Sequence, residues 1–155
     1  MIREKRRLFW NFSGHLQWKK YPVDEHRIGI LGMTPQDVSD LKAADKMREL
    51  FQQKYDQQAV CYCMGDGLEE IKKDFLSSKN IVVSPAALVA AQYLEKTFGT
   101  PYEISYPLAG ELIPEMDYTG KKILVVHQQA IADSIRRELK ARGAEIVQVA
   151  DWFMM

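Results

Sequence analysis

The sequence contains two cysteines, Cys61 and Cys63, which are separated by a single residue. In an extended strand both side chains would point to the same face, because side chains alternate with period two. A zinc or iron-sulfur site needs about four protein ligands, and paired cysteines in such sites usually have two or more residues between them. The C-x-C spacing is also too short for a comfortable disulfide. We therefore expect buried thiols and no metal site in this segment.

His127 and Ser84 each follow a predicted strand, a position at which catalytic side chains often lie. An imidazole can transfer protons near neutral pH or bind a metal, so His127 is a candidate for either role. It stands alone, however, so a position without a functional role is the favoured interpretation. Ser84 lacks the G-x-S-x-G context of a nucleophile, and the Pro85 that follows makes helix capping its expected role. The sequence thus predicts no catalytic residue.

Residues 32–35 (GMTP) resemble a phosphate-cradling turn, because free backbone N–H groups at the start of a helix attract anions. The sequence contains neither G-x-G-x-x-G after a strand nor G-x-x-x-x-G-K-[ST]. An ordinary strand-to-helix turn is therefore the favoured interpretation, with a nucleotide site as the alternative.

From residue 28 onward, short β-branched runs alternate with segments of helical period. This alternation is typical of a parallel sheet covered on both faces. We predict strands at residues 28–31, 59–64, 80–83, 122–126 and 145–150, and a loop over 102–120 with a short strand at 103–106. The predicted fold class is α/β, a Rossmann-like three-layer sandwich with a mostly parallel sheet of about five strands.

Ligands of such sheets bind beyond the carboxyl ends of the strands, where neighbouring loops diverge. If all the strands share one sheet, its carboxyl edge would form a single rim. The candidate small-ligand site on this rim consists of Met33, Gly65, Asp66, Ser84, His127 and Gln128.

Net charge and chain organisation exclude some functions. The 21 basic residues balance the 21 acidic ones, so no overall field would draw the chain onto nucleic acid or an anionic membrane.

Residues 1–26 form a basic and aromatic arm, and residues 27–155 form the domain. The arm could dock on a partner or lie on its own domain. Both possibilities stay open, and the first of them makes the chain a candidate interaction domain.

The compartment and the state of association are also expectations from composition. No stretch approaches the roughly 20 apolar residues of a membrane span, and polar residues interrupt the apolar run that a secretory signal would need. With only two cysteines in the chain, we expect a cytoplasmic protein. The apolar ending from Trp152 favours association with a partner or a second copy.

Several segments, in order, resemble the middle domain of nitrogenase component 1 subunits. The clearest are residues 79–84 (KNIVVS), 90–96 (AAQYLEK) and 98–102 (FGTPY), which are similar to the family's strand and its helix ending L-E-x-x-F-G-x-P-Y. Upstream, residues 27–35 and 67–71 resemble the family's V-N-I-I-G-x-x-P turn and a helix start. Downstream, residues 120–126 and 139–147 resemble the strand and helix that open its next domain. The resemblance covers roughly residues 27–153.

The resemblance implies a Rossmann-like module of an oxidoreductase that receives electrons from an ATP-driven iron protein and works with other subunits or domains. It also implies a departure. The catalytic subunit of the family has a cofactor-binding cysteine at the position of Ser84, and a serine hydroxyl is a poor ligand for a soft iron-sulfur cluster. We therefore expect no cofactor in this segment, an iron-sulfur or related metallocluster only in a longer parent protein, and no independent catalysis. A module that binds a tetrapyrrole, a cluster precursor or another small ligand is the alternative.

Overall fold

A computed structural model describes residues 23–33, 43–62 and 77–151. The chain divides into two compact units, Met1–Ile104 and Ser105–Met155. Each unit combines helices with parallel strands, so the α/β class predicted from the sequence is confirmed.

The described part of the first unit is built on a four-stranded parallel sheet. In chain order the strands are β1 (Asp24–Leu31), β2 (Gln58–Cys61), β3 (Ser77–Val82) and β4 (Tyr102–Ile104), and their order in the sheet is β2-β1-β3-β4. The central strands are buried at Ile28, Ile30 and Ile81, as expected for a sheet that is covered on both faces.

Two described helices accompany this sheet, α1 (Ala43–Tyr55) and α2 (Leu88–Phe98). Ala91 and Leu94 of α2 pack against Leu31, Val60 and Val82 of the sheet. Helix α1 packs beside β2 and buries its Met47 and Phe51. The steps from β1 to β2 and from β3 to β4 run in opposite directions, so right-handed crossovers place α1 and α2 on opposite faces.

The start of the 3₁₀ helix that precedes α2 and the end of α2 follow the capping rules read from the sequence. Ser84 accepts a hydrogen bond from the backbone N–H of Ala86, and Pro85 opens a short 3₁₀ helix, Pro85–Ala87, that leads into α2. Gly99 adopts a left-handed φ of 78° and donates its N–H to the carbonyl of Glu95. The predicted capping role of Ser84 is thus confirmed.

The second unit contains β5 (Lys122–His127), α3 (Gln129–Ala141) and β6 (Glu145–Asp151), and the two strands pair in parallel. A 3₁₀ helix, Ala109–Leu112, precedes them. The core of the unit joins the preceding loop, β5 and α3 through Ile113, Tyr118, Val125, Ala132 and Leu139.

Ser134 connects α3 to the segment before it. Its hydroxyl is buried, donates to the carbonyl of Ala130 at 2.8 Å and accepts the backbone N–H of Tyr106 at 2.8 Å. A single side chain therefore satisfies the N–H of a buried loop residue and ties that loop to the helix.

The sheet arrangement differs from the single sheet of about five strands that the sequence predicted. The six described strands form two sheets, one of four strands and one of two. Hydrophobic periodicity predicts that a strand exists, whereas the choice of its partner depends on the connections. Here β4 is only three residues long, and residues 105–121 then form a loop and a 3₁₀ helix before β5 begins.

Candidate functional site

The order of the strands in the first unit defines a candidate ligand edge. From β1 the chain continues to β2 on one side, while β3 lies on the other side of β1 and leads on to β4. The direction of winding therefore reverses between β1 and β3. In open parallel sheets, ligands bind beyond the carboxyl ends of the strands at such a reversal point. The predicted residues Met33 and Ser84 follow these two strands.

The loops after β1 and β3 are in direct contact. A Cβ atom placed on Gly32 would lie 2.8 Å from the Cβ of Ala87 and 3.0 Å from the Cβ of Ser84. Gly32 also has a left-handed φ of 89°, which an L side chain rarely adopts. Only glycine combines this φ with the absence of a Cβ at this turn. The short distances also show that the structure brings two of the predicted segments, 32–33 and 84, together.

The loop after β1 also reaches the end of β2. The Sδ of Met33 lies 3.8 Å from the Sγ of Cys61, and the two side chains are only 1% and 0% exposed. The buried thiol expected from the sequence is therefore confirmed for Cys61, while Cys63 lies outside the described residues. Two soft sulfur atoms meet here in an apolar setting, an ordinary form of core packing for methionine and cysteine.

The predicted residues at this edge are buried. Ser84 is only 6% exposed, and its hydroxyl caps the helix that follows. Gly65 and Asp66, predicted for the same rim, lie outside the described residues.

His127 and Gln128 belong to the second unit, where they join β5 to α3. The backbone N–H of Gln128 donates to the imidazole Nδ1 of His127 at 2.8 Å, so a neutral His127 with this bond carries its proton on Nε2. The Gln128 side-chain Oε1 is buried and has no hydrogen-bond partner within the described part of the chain. The exposed imidazole is available to solvent at the carboxyl end of β5, as predicted. The rim expected to be continuous is distributed between two sheets.

A buried polar cluster near the middle of the first sheet was not anticipated. Asn80 on β3 is 0% exposed and lies opposite Gly29 on β1. A Cβ on Gly29 would meet Asn80 Oδ1 at 2.1 Å, the ring of Tyr62 at 2.5 Å and Ser77 Oγ at 3.2 Å. The hydroxyls of Tyr62 and Ser77 share a hydrogen bond of 2.7 Å. A glycine inside a predicted strand was the available sequence signal, because it often marks a close approach.

A charged group lies at the β3–β4 pairing. Lys79 forms an ion pair with Glu103, and both side chains are more than one-third exposed. Burial, followed by the negative charge of Glu103, raises the pKa of the Tyr55 hydroxyl above its usual value of 10.0. A solvent-exposed pair of this kind contributes at most about 1 kcal/mol. We interpret it as support for the short strand β4.

The described residues contain neither a group of metal ligands nor a membrane-spanning helix. Across ranges 23–33, 43–62 and 77–151, no three His, Cys, Asp or Glu side chains are grouped closely enough to share a metal ion. Within those ranges no helix has the length and apolar character needed to span a bilayer.

The geometry defines an α/β protein whose first unit has a doubly wound parallel sheet with a loop contact at its reversal point. Neither a protein-family model nor a curated protein matches the sequence significantly. The support for the resemblance to nitrogenase component 1 is therefore the set of similar sequence segments described above.

Proposed function

We propose that this chain is a cytoplasmic module of a nitrogenase component 1-type oxidoreductase that performs no catalysis alone. In this proposal its electron-transfer chemistry depends on other domains or subunits, and an ATP-driven iron protein is the electron donor. The chain contributes a Rossmann-like scaffold whose strand ends face the partner that carries the metallocluster.

The observation that carries the proposal is the reversal of winding between β1 and β3. Residues 79–84, one of the clearest matches to the family, and the upstream match at residues 27–35 supply these two adjacent strands and the starts of the turns that follow them. The third segment, residues 90–96, lies in α2, which packs on the same strands. Segments matched separately in the sequence thus form one contiguous structural unit, as expected if the resemblance reflects a shared fold.

The described donor atoms do not fit a metallocluster. Ser84 offers an oxygen where the family's catalytic subunit has a sulfur ligand, and that oxygen already caps a helix. Cys61 is the described cysteine, and its thiol packs against Met33 inside the protein. A cluster requires several soft ligands around one point, and such a set is not formed by these residues. We therefore assign any cluster to other parts of the complex.

Anaerobic purification tests this proposal. The full chain, expressed alone, should be colourless and contain far less than one iron per chain. The tagged chain isolated from its own cells should instead carry iron and the broad visible absorption of an iron-sulfur cluster, contributed by its partner. Ser84→Cys is the matched variant, because it restores the sulfur donor at the family's position without supplying the remaining ligands.

The proposal predicts that Ser84→Cys, expressed alone and treated with iron and sulfide, remains as iron-poor as the unaltered chain. Stoichiometric iron in the unaltered chain purified alone would show a complete ligand set and contradict the proposal. An iron-free native complex would contradict it equally, because no metallocluster protein would then accompany the chain.

A second candidate function is the binding of a tetrapyrrole or a similar small ligand at the β1–β3 edge. The specific observation in its favour is again the reversal point, the usual place for a ligand in this class of sheet. The partly exposed Pro85 lies at that edge, at the start of the 3₁₀ helix.

The probe for this second function is protoporphyrin, with the melting temperature of the full chain as the readout, since a ligand that binds only the native state must stabilise it. Pro85→Glu places a negative charge at the edge, where a helix start tolerates an acid. Gln92→Glu makes a charge change of the same kind on the exposed surface of α2. Binding at the edge predicts a porphyrin-dependent rise that Pro85→Glu abolishes and Gln92→Glu retains. Absence of any rise in the unaltered chain would exclude this function for protoporphyrin.

A further inference from the structure

The most unusual group in the described residues is the side-chain amide of Asn80. It is 0% exposed, and neither its Nδ2 nor its Oδ1 has a hydrogen-bond partner within residues 23–33, 43–62 and 77–151. Most buried polar side-chain atoms have a protein or water partner. An amide that combines an unused donor and an unused acceptor in the core is therefore a site that selects a ligand with both functions.

The surroundings of this amide are polar and uncharged. Asn80 Oδ1 and Ser77 Oγ lie 2.1 and 3.2 Å from the position that a Cβ on Gly29 would occupy. Because both oxygens are close to the same point, they are also close to each other. The hydroxyl of Tyr62 is bonded to Ser77. The backbone N–H of Asn80 donates to the carbonyl of Pro101 and so does not depend on the side chain.

We propose that the amide of Asn80, which lies beside Ser77 and Tyr62, binds an internal water molecule. Water is the ligand class that fits, because it donates and accepts, carries no charge and needs two to four polar partners. The complete burial of Asn80 beneath the α2 side of the sheet excludes a larger ligand that would require an open entrance. This proposal is independent of the function proposed above.

The sequence makes a direct test practicable, because it contains only two asparagines, Asn11 and Asn80. Full-length protein labelled with ¹⁵N at asparagine should show two side-chain NH₂ pairs, and an Asn11→Ser variant assigns them. The experiment measures rotating-frame Overhauser transfer from water to each pair, which has the opposite sign to transfer by hydrogen exchange. We expect a direct Overhauser peak at the Asn80 pair, as for a water held in the core.

Nearby hydroxyl protons could relay magnetisation from bulk water, and two variants remove that route. In Tyr62→Phe and Ser77→Ala the water peak at Asn80 should persist. Loss of the peak in either variant would assign it to relay and overturn the proposal, as would its absence from the unaltered protein. A high-resolution crystal structure of the unaltered chain provides the second measurement. It should show water density within hydrogen-bond distance of the Asn80 amide, and a dry amide there would refute the inference.

Discussion

Replacing Gly29 with alanine should destabilise the first unit strongly, although the change adds only one methyl group. The added Cβ would lie 2.1 Å from Asn80 Oδ1 and 2.5 Å from the Tyr62 ring. Cβ atoms essentially never approach other heavy atoms this closely, so the two neighbouring side chains must move. Both are almost completely buried, Asn80 at 0% and Tyr62 at 1% exposure, and no open surface can accept them.

The size of the effect follows from this overpacking. Extra methyl groups in well-packed cores cost about 1–3 kcal/mol, and two simultaneous contacts under 3 Å place Gly29→Ala at about 3 kcal/mol, the upper end of that range. Gly29 does not have a positive φ, so no backbone penalty is included. A domain is typically stable by about 5–15 kcal/mol, and the variant should therefore still fold while its denaturation midpoint falls clearly.

Urea unfolding of the full chain measures this loss. Gly99→Ala is the matched control, because Gly99 has a φ of 78° and nothing within 4 Å of an added Cβ. It reports a backbone penalty of about 1–2 kcal/mol without a steric one. Adding Asn80→Ala to Gly29→Ala removes the nearest contact and should recover at least about 1 kcal/mol relative to the sum of the two single changes. A Gly29→Ala loss below about 0.5 kcal/mol would refute the placement of the Asn80 amide against β1.

Three further predictions concern the second unit. Ser134→Ala should cost about 1–3 kcal/mol in urea unfolding, because it leaves the buried N–H of Tyr106 without its acceptor; a neutral result would contradict that bond. Burial, and then the charge of Glu111, raises the pKa of the Tyr106 hydroxyl above 10.0. The contribution of this hydroxyl to stability is therefore present below pH 10 and is lost as the pH rises through the folded pKa. Tyr106→Phe should reduce the loss of stability at alkaline pH, and an unchanged pH profile of unfolding would exclude Tyr106 as its cause. Hydrogen bonds from the backbone and then the side chain of Thr119 lower the pKa of the exposed Asp117, whose contribution is therefore present above about pH 3.8 and lost as the pH falls through the folded value. Thr119→Ala removes only the side-chain bond, so carboxyl NMR should show Asp117 titrating at lower pH in the unaltered chain than in the variant, and identical titrations would refute the side-chain contribution.

Local signals in the sequence predicted the elements better than their pairing. Ser84-Pro85 and Gly99 encode their own caps, because a cap depends on backbone groups within a few residues. Strand β1 begins at Asp24, earlier than predicted, since its first half is polar and carries no hydrophobic alternation. Strands β5 and β6 pair with each other and not with the larger sheet. The loop before them makes contacts such as the bond from Tyr106 to Ser134, and no short sequence pattern specifies such contacts.

The candidate site was predictable in position and only partly in character. The rule that ligands bind at strand ends selected Met33 and Ser84, and the structure places the loops that carry them in contact. The burial of Met33 was not predictable, because Cys61, which packs against it, approaches from β2. The Asn80 cluster was missed for a related reason: an asparagine at the start of a predicted strand gives no indication that it will lie opposite a glycine.

That pairing also links the buried cluster to the edge of the sheet. Gly29 is the β1 residue opposite Asn80, and a shift of two positions would place Asn80 opposite Arg27 or Leu31. Either side chain would occupy the space that the amide needs, so the cluster favours a single register between β1 and β3. The same register aligns Leu31 with Val82, and the backbone bond from Val83 to Leu31 then brings the turn at Gly32 against Ser84. The geometry of the candidate edge is therefore fixed from within the core. The side chain of Asn80 fits opposite Gly29 and would not fit opposite Arg27 or Leu31, the next β1 residues on the same face.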